Sequence, residues 1–230
     1  MSRVLVISDL QIPFHHKDSL RFLKAVERRY KTNKVVCIGD EIDFHAISDY
    51  TPDPDGMSPG AELEKALKDL KPFYKAFPNV RVCTSNHTAR PFRRAYRFGI
   101  PKAFLRDYRE FLKAPKGWSW EESFVIDGVR YEHGEGFSGQ NGALKAMMAR
   151  GRSTVIGHLH SWAGVQYSAS PERLTFAMNV GCLIDRHAYA FAYGKLSANK
   201  PILSCGVVIE GVPHLIPMLL NKRGRWVGKL

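Results

Sequence analysis

The chain has 230 residues, 44% of them hydrophobic, which suits one sizeable core and predicts a single domain over 1–230. Lys and Arg number 34 against 22 Asp and Glu, and the resulting +12 charge points to a phosphate-rich, polyanionic partner. No run of about 18 apolar residues occurs, and no charged n-region followed by an apolar h-region opens the chain, which argues against a membrane span and against secretion and predicts a cytoplasmic protein.

In chain order, the β-branched run at 3–8 predicts a strand, 18–31 a helix and 34–39 a second strand. A Pro-rich stretch from Tyr50 to Gly60 reads as a loop able to wall one side of a cleft. Helix 60–77 and strand 80–84 follow, then a basic helical segment at about 89–116. After it come strands near 123–133, helix 140–150 and strand 153–157. The tail, with strands at 164–168, 173–179, 204–210 and 213–219, is β-rich. Alternating strands and helices followed by strands predict an α/β fold of two packed sheets flanked by helices. Cys37, Cys83, Cys182 and Cys205 lack C-x-x-C spacing, and Cys37, Cys83 and Cys205 lie in predicted strands, so reduced structural thiols are expected.

Five short groups carry metal-type ligands: Asp9-Leu10-Gln11, Gly39-Asp40-Glu41-Ile42-Asp43, Asn86-His87, His133-Gly134 and Gly157-His158-Leu159-His160. Three lie directly behind apolar runs that read as buried strands, and loops leaving the carboxyl ends of such strands are where α/β sheets hold ligands. Carboxylate, amide oxygen and imidazole together form the O/N shell that Mg, Mn, Fe or Zn accepts. Two metals sharing a bridging carboxylate activate water for in-line attack at phosphorus.

In this order the groups resemble the pattern of the calcineurin-like metallophosphoesterases, D-x-H, G-D-x-x-D, G-N-H-E/D, a lone His and G-H-x-H, over roughly residues 4–185. The resemblance implies a four-layer αββα sandwich of two mixed sheets and a dinuclear phosphoesterase. By it Asp9, Gln11, Asp40 and His160 hold one metal, and Asp40, Asn86, His133 and His158 the other. His87 faces the leaving oxygen and Arg90 clamps a phosphoryl oxygen. Asp43 is left out of the metal set.

Three departures bear on chemistry. Gln11 replaces a His, exchanging an imidazole nitrogen for a neutral amide oxygen. That substitution favours a weaker, harder site and makes Mn2+ the expected metal, ahead of Mg2+, Fe2+ or Zn2+. Thr88 stands where an acid orients His87, so either Asp43 or a backbone carbonyl takes that role or His87 is less well tuned. Ser85 replaces a Gly before Asn86. Further on, Asn179-Val180-Gly181-Cys182 resembles the family's turn back toward the sheets.

From Arg90 to Lys116, nine basic residues face two acidic ones, giving +7 over 27 residues. Arg93, Arg94 and Arg97 have the spacing of one helix face and begin soon after His87, so they are candidate substrate-binding residues for a phosphodiester backbone. His45, two residues beyond Asp43, is a further candidate. His15 and His16 read as a surface loop pair, and His187 and His214 as structural. Interleaved aromatics, Phe92, Tyr96, Phe98, Phe104, Tyr108, Phe111 and Trp118, serve equally well as a packing face or as a binding surface.

The resulting expectation is a metal-dependent phosphodiesterase acting on nucleic acid, resembling nuclease-type and bacteriophage-encoded members and working in the host cytoplasm if phage-encoded. The alternatives are a phosphomonoesterase acting on a phosphoprotein or small nucleotide, and a weakly active nucleic-acid-binding protein. Oligomeric state is left open, a dimer being frequent among related nucleases.

Overall fold

The structure is a computed structural model describing residues 2–49, 55–188 and 200–230. One six-stranded sheet has the order β11-β10-β1-β2-β3-β4, and a five-stranded sheet has the order β5-β6-β7-β9-β8. In the first, β1 (Arg3–Ile7), β2 (Lys34–Cys37), β3 (Val80–Cys83) and β4 (Trp118–Glu121) run parallel, and β10 (Ser204–Ile209) and β11 (Val212–Pro217) extend it antiparallel. In the second, β6 (Val129–Glu132), β7 (Thr154–Ile156) and β9 (Leu174–Val180) run parallel between the antiparallel edges β5 (Ser123–Ile126) and β8 (Ala163–Ala169).

Period-two alternation divides the side chains between layers. Along β1, Val4 and Val6 enter the core between the sheets, with Val36, Tyr131, Met178 and Val180, while Leu5 and Ile7 turn to the opposite face. There they meet Phe22, Leu23 and Val26 of α1 (Ser19–Tyr30) and Ala66, Leu70 and Phe73 of α2 (Pro59–Ala76). On the far side of the second sheet, Ala143, Ala146 and Met147 of α5 (Gly142–Arg150) pack on Ile156 and Ala177. The layers are therefore helix, sheet, sheet, helix, the αββα sandwich expected. Each fully buried aliphatic side chain contributes about 1.5–3 kcal/mol to holding them together.

Two expectations need correction. Strand β4 went unforeseen because its two tryptophans lie at the end of a charged stretch and look like part of a helical apolar face. The region 123–133 is a hairpin, β5 and β6, turning at Asp127-Gly128, where both residues have positive φ. The basic segment is helical only in pieces: α3 (Arg90–Arg97), a 3-10 turn at Lys102–Phe104 and α4 (Tyr108–Phe111). Residues 50–54 of the Pro-rich stretch lie outside the described residues; α2 begins at its end, with Pro59 in the first turn and Ser58 Oγ accepting from the Ala61 amide. Cys37, Cys83, Cys182 and Cys205 are buried free thiols. Among the described residues no helix is long and apolar enough to cross a membrane.

Candidate metal centre

The five ligand groups converge at the carboxyl ends of parallel strands. Asp9 follows β1, Asp40 follows β2 and Asn86 with His87 follows β3; from the facing sheet come His133 after β6 and His158 and His160 after β7. Backbone hydrogen bonds join these loops: the Asp9 amide donates to the Gly39 carbonyl (3.2 Å), Gln11 to Asp40 (2.8 Å) and Gly157 to His133 (3.0 Å). Asp9, Gln11, Asp40 and His158 all take positive φ between 46° and 64°. Non-glycine residues avoid this region unless the surroundings force it, and such strain gathers at functional sites.

Two donor sets emerge. Asp40, His133 and His158 form one, and Asp9, Asp40 and His160 form the other, each with its ligand atoms within 4.8 Å of one another. Asp40 belongs to both. Its carboxylate is buried, yet His133 and His87 nearby outweigh the effect of burial and hold it well below the usual carboxylate range.

The tautomer of His133 follows from its partners. Nδ1 lies 2.9 Å from the Ile38 carbonyl, which only accepts, so Nδ1 donates and Nε2 is turned inward. That Nε2 lies 2.7 Å from Asn86 Oδ1, 3.1 Å from His158 Nδ1 and 3.4 Å from Asp40 Oδ2. On the other side His160 Nε2 is 2.9 Å from Asp9 Oδ1, and the His158 amide donates to Asp9 Oδ2 at 3.0 Å. Electron-rich atoms facing one another at these distances are what a cation reconciles. Gln11 gives the same indication: its Oε1 is buried with no hydrogen-bond partner among the described residues. Its Nε2 lies 3.5 Å from Asp40 Oδ2 and from His160 Nε2, so rotating the amide would bring the oxygen among the ligands. The residues present fit hard or borderline divalent cations.

His87 is held from both sides. Its Nδ1 donates to Asp43 Oδ1 at 2.6 Å, which decides between the two means of support left open for it: Asp43 takes the role. Arg90 Nη1 in turn donates to the Asp43 carbonyl (2.7 Å) and carboxylate (2.8 Å), while Nη2 comes within 3.2 Å of His87 Nε2. Burial works to lower the imidazole pKa, but Asp40 and Asp43 outweigh it and the net shift is upward.

Thr88 keeps its place in this scheme by a relay. Its hydroxyl donates to Glu41 (2.8 Å) and accepts from Ser85 Oγ (3.0 Å), and Ser85 Oγ accepts from the Asp40 amide (2.8 Å). Glu41 is fully buried, also accepts from Trp120 Nε1 (2.9 Å), and burial pushes its pKa up to about 7. Glu41 thus anchors Thr88 and, through Ser85, the Asp40 amide, while Asp43 orients His87. The signal was the Glu in Gly39-Asp40-Glu41, whose meaning depends on a neighbour 47 residues away.

Two further residues escaped the sequence reading. Ser8 Oγ donates to Asp9 Oδ2. Gly157 leaves the space for both: a Cβ there would come within 1.9 Å of Ser8 Oγ and 2.4 Å of Asp9 Oδ2.

The remaining candidates are placed differently. His45 is buried at the start of a 3-10 turn (His45–Ile47), its amide donating to Glu62 (2.8 Å) and its ring edge-on to Phe14. Arg94 donates to the Ile47 and Ser48 carbonyls, and Arg93, Arg94 and Arg97 all converge on Asp49. His16 corrects the surface reading: it is buried, with Nε2 donating to Gly224 O (3.0 Å) and Nδ1 accepting from the Asp18 amide (3.1 Å). His15 is half-buried against Phe73. Gly181, at φ 68°, turns the chain after β9 as expected, and Asn179 Nδ2 donates to the Leu159 carbonyl at 3.2 Å, bracing the loop that carries His158 and His160.

Residues 2–181 match the calcineurin-like phosphoesterase family, and the chain belongs to it. It is thereby a phosphoester hydrolase of a family that uses divalent metals. Gene 54 proteins of the mycobacteriophages D29 and L5 are each 25% identical to it over 94% of both chains. Among solved structures, Vps29 from Entamoeba histolytica is similar with a TM-score of 0.46 and 13% identity, covering 94% of this chain and 93% of that one. Yfce, a phosphoesterase from E. coli, gives 0.45 and 11% over 99% and 98%, and Pseudomonas putida nuclease MPE gives 0.39 and 12% over 93% and 86%.

Proposed function

We propose that the protein is a phosphodiesterase acting on nucleic acid through a centre for two divalent cations, with Mn2+ the expected metal. The observation that carries this reading is the pair of donor sets sharing Asp40. Asp9, Gln11, Asp40 and His160 would hold one ion, and Asp40, Asn86, His133 and His158 the other. Bound there, the ions supply a nucleophile from water at neutral pH and neutralise charge on the phosphoryl group.

The chain's own residues do the rest. Asp43 fixes the His87 ring with Nε2 toward the cluster and, with Asp40, favours a proton on that nitrogen, as a group protonating the leaving oxygen requires. Arg90, anchored on Asp43, presents its other guanidinium nitrogen beside His87 Nε2, where it can receive a non-bridging oxygen. Burial of Asp9, Gln11, Asp40, His133 and His87 limits competition from bulk water. The net charge of +12 supports a polynucleotide, and the phage relatives support action in a host cytoplasm.

The test is turnover with Mn2+ on a nitrophenyl monoester, a bis-nitrophenyl diester and labelled single- and double-stranded DNA. Diester and DNA cleavage is expected, with His87→Ala losing about 10²–10⁴-fold in kcat while keeping its metal. Turnover of the monoester alone would overturn the diester reading in favour of a phosphatase.

A further inference from the structure

The basic segment contains two populations of aromatic rings. Phe92, Tyr108 and Phe111 pack on one another, with Phe92 to Tyr108 at 4.8 Å, and Tyr108 stacks on Trp120 of β4. These rings hold the segment to the first sheet. Tyr96, Phe98 and Phe104 do the opposite: they are 84%, 77% and 79% exposed. A single exposed ring is ordinary, but three within nine residues are not explained by packing.

Tyr96 lines a groove of about 680 Å³ whose walls include Phe92, Arg93, Arg97, Lys102 and Arg106, while Phe98 and Phe104 belong to the same stretch of chain without lining it. Four cations line it against one carboxylate, that of Asp107. Nearby acids take up most of this excess: Asp49 is shared among Arg93, Arg94 and Arg97, Arg106 pairs with Glu110 at 3.2 Å, and Glu135 is a further acid near Arg93. The helix that supplies Arg93, Tyr96 and Arg97 to the groove opens with Arg90, which touches His87, so α3 links the groove to the candidate metal centre. Arg93 also reaches within 3.9 Å of Glu135, two residues beyond His133.

We propose that this groove is a platform for single-stranded nucleic acid, with unpaired bases on Tyr96, Phe98 and Phe104 and the backbone along Arg93, Arg97, Lys102 and Arg106, feeding the strand to the centre. This rests on the nucleic-acid reading given above and narrows it to the single strand. Rings accept the π-faces of bases only when those faces are unstacked, whereas a duplex offers such a surface only its phosphates. Guanidinium groups interleaved with rings suit the alternation of phosphate and base along a strand.

The experiment measures fluorescence anisotropy of a labelled oligothymidylate of about 12 nucleotides with the full chain in EDTA, so that cleavage does not intervene. Competitors are an abasic strand of the same length and a duplex. Hydrolysis of bis-nitrophenyl phosphate with Mn2+ is followed separately. The abasic strand and the duplex are expected to bind about tenfold or more weakly than the thymidylate. Tyr96→Ala, Phe98→Ala and Phe104→Ala should each cost up to about tenfold in affinity, with bis-nitrophenyl phosphate turnover unchanged. Lys102→Glu with Arg106→Glu should flatten the salt dependence by about 0.7 in slope for each phosphate no longer neutralised.

Equal binding of abasic and thymidylate strands overturns the platform, as does wild-type affinity in all three ring variants. So does a salt-stable dimer that Tyr96→Ala dissociates without changing oligonucleotide binding, which would make the groove an interface between copies of the chain. Diester hydrolysis without strand binding removes the platform and leaves the phosphodiesterase. Ring-dependent strand binding without hydrolysis keeps the platform and removes the enzyme reading.

Discussion

Two buried polar sites in this molecule use similar residues to opposite ends. Near the C-terminus, the buried Asp18 carboxylate accepts from Arg225 Nε (2.7 Å) and Nη2 (2.5 Å) and from the Trp226 amide (3.0 Å), so it is met by donors throughout. In the ligand cluster, Asp9, Asp40, Asn86, His133, His158 and His160 largely meet other acceptors and ring nitrogens, and Gln11 Oε1 meets nothing among the described residues. A satisfied network stabilises the fold; an unsatisfied one is tolerated where a ligand is to complete it. The contrast predicts that damage at the cluster costs activity while damage at the Asp18 site costs stability.

Asp40→Asn gives the largest effect. Removing the shared carboxylate should lower kcat/KM for a diester by about 10³-fold or more, since the charge stabilisation removed is several kcal/mol at about 1.4 kcal/mol per decade. Metal stoichiometry by titration calorimetry should fall with it, while Tm holds or rises because mutual repulsion among the ligands is relieved. A loss of Tm with unchanged metal binding would make the cluster structural. Asp43→Asn follows at about 10- to 100-fold, since Asp43 acts through His87 and Arg90 rather than on substrate. Its signature is a pH profile whose His87 limb moves down, because an attached anion that raises the imidazole pKa has been removed; an unmoved limb would deny Asp43 that role.

How much of this contrast the sequence could carry depends on the range of the interactions. Three of the ligand groups, those of Asp9, Asp40 and His158 with His160, were legible as loops directly behind strand-like apolar runs, whereas Asn86 and His133 joined the set through the resemblance of the ordered motifs to the calcineurin-like metallophosphoesterases. The four layers followed from the same strands. What stayed hidden was pairwise and distant: Glu41 accepting from Thr88, Gly157 opening space for Asp9, and Arg94 spent partly on the Ile47 and Ser48 carbonyls. Strand β4 was missed for a related reason. Its tryptophans satisfy a helical apolar face as well as an edge strand, and only Trp118 Nε1 donating to the Phe77 carbonyl, with the β3 pairing, decides the matter.

Gln11→His tests how far the cluster's composition sets its metal. An imidazole in place of the amide should tighten the site formed with Asp9, Asp40 and His160 and shift its preference toward Zn2+, leaving the other site as it was. Calorimetric titration of Mn2+ and Zn2+ into both proteins separates the outcomes: identical affinities in wild type and variant would show that position 11 does not ligate.

The smallest expected effect lies at the satisfied site. Asp18 precedes α1 but does not cap it; its side chain instead holds the C-terminal segment, where Trp226 packs edge-on to Phe22 at 5.5 Å. Arg225 holds the Asp18 carboxyl well below the usual carboxylate range, chiefly by direct hydrogen bonding. A depressed folded-state pKa contributes stability that is full above the unfolded value of about 3.9 and drains away as pH falls through the folded one. Because Arg225 is half-exposed, Asp18→Asn should cost only about 1 kcal/mol at pH 7, or about 2–4 °C in Tm, and flatten the acid limb of stability below pH of about 4. Metal binding and diester turnover should be untouched. A variant that kept its Tm but lost turnover would mean that the two polar sites are coupled through α1, and the division between them would fail.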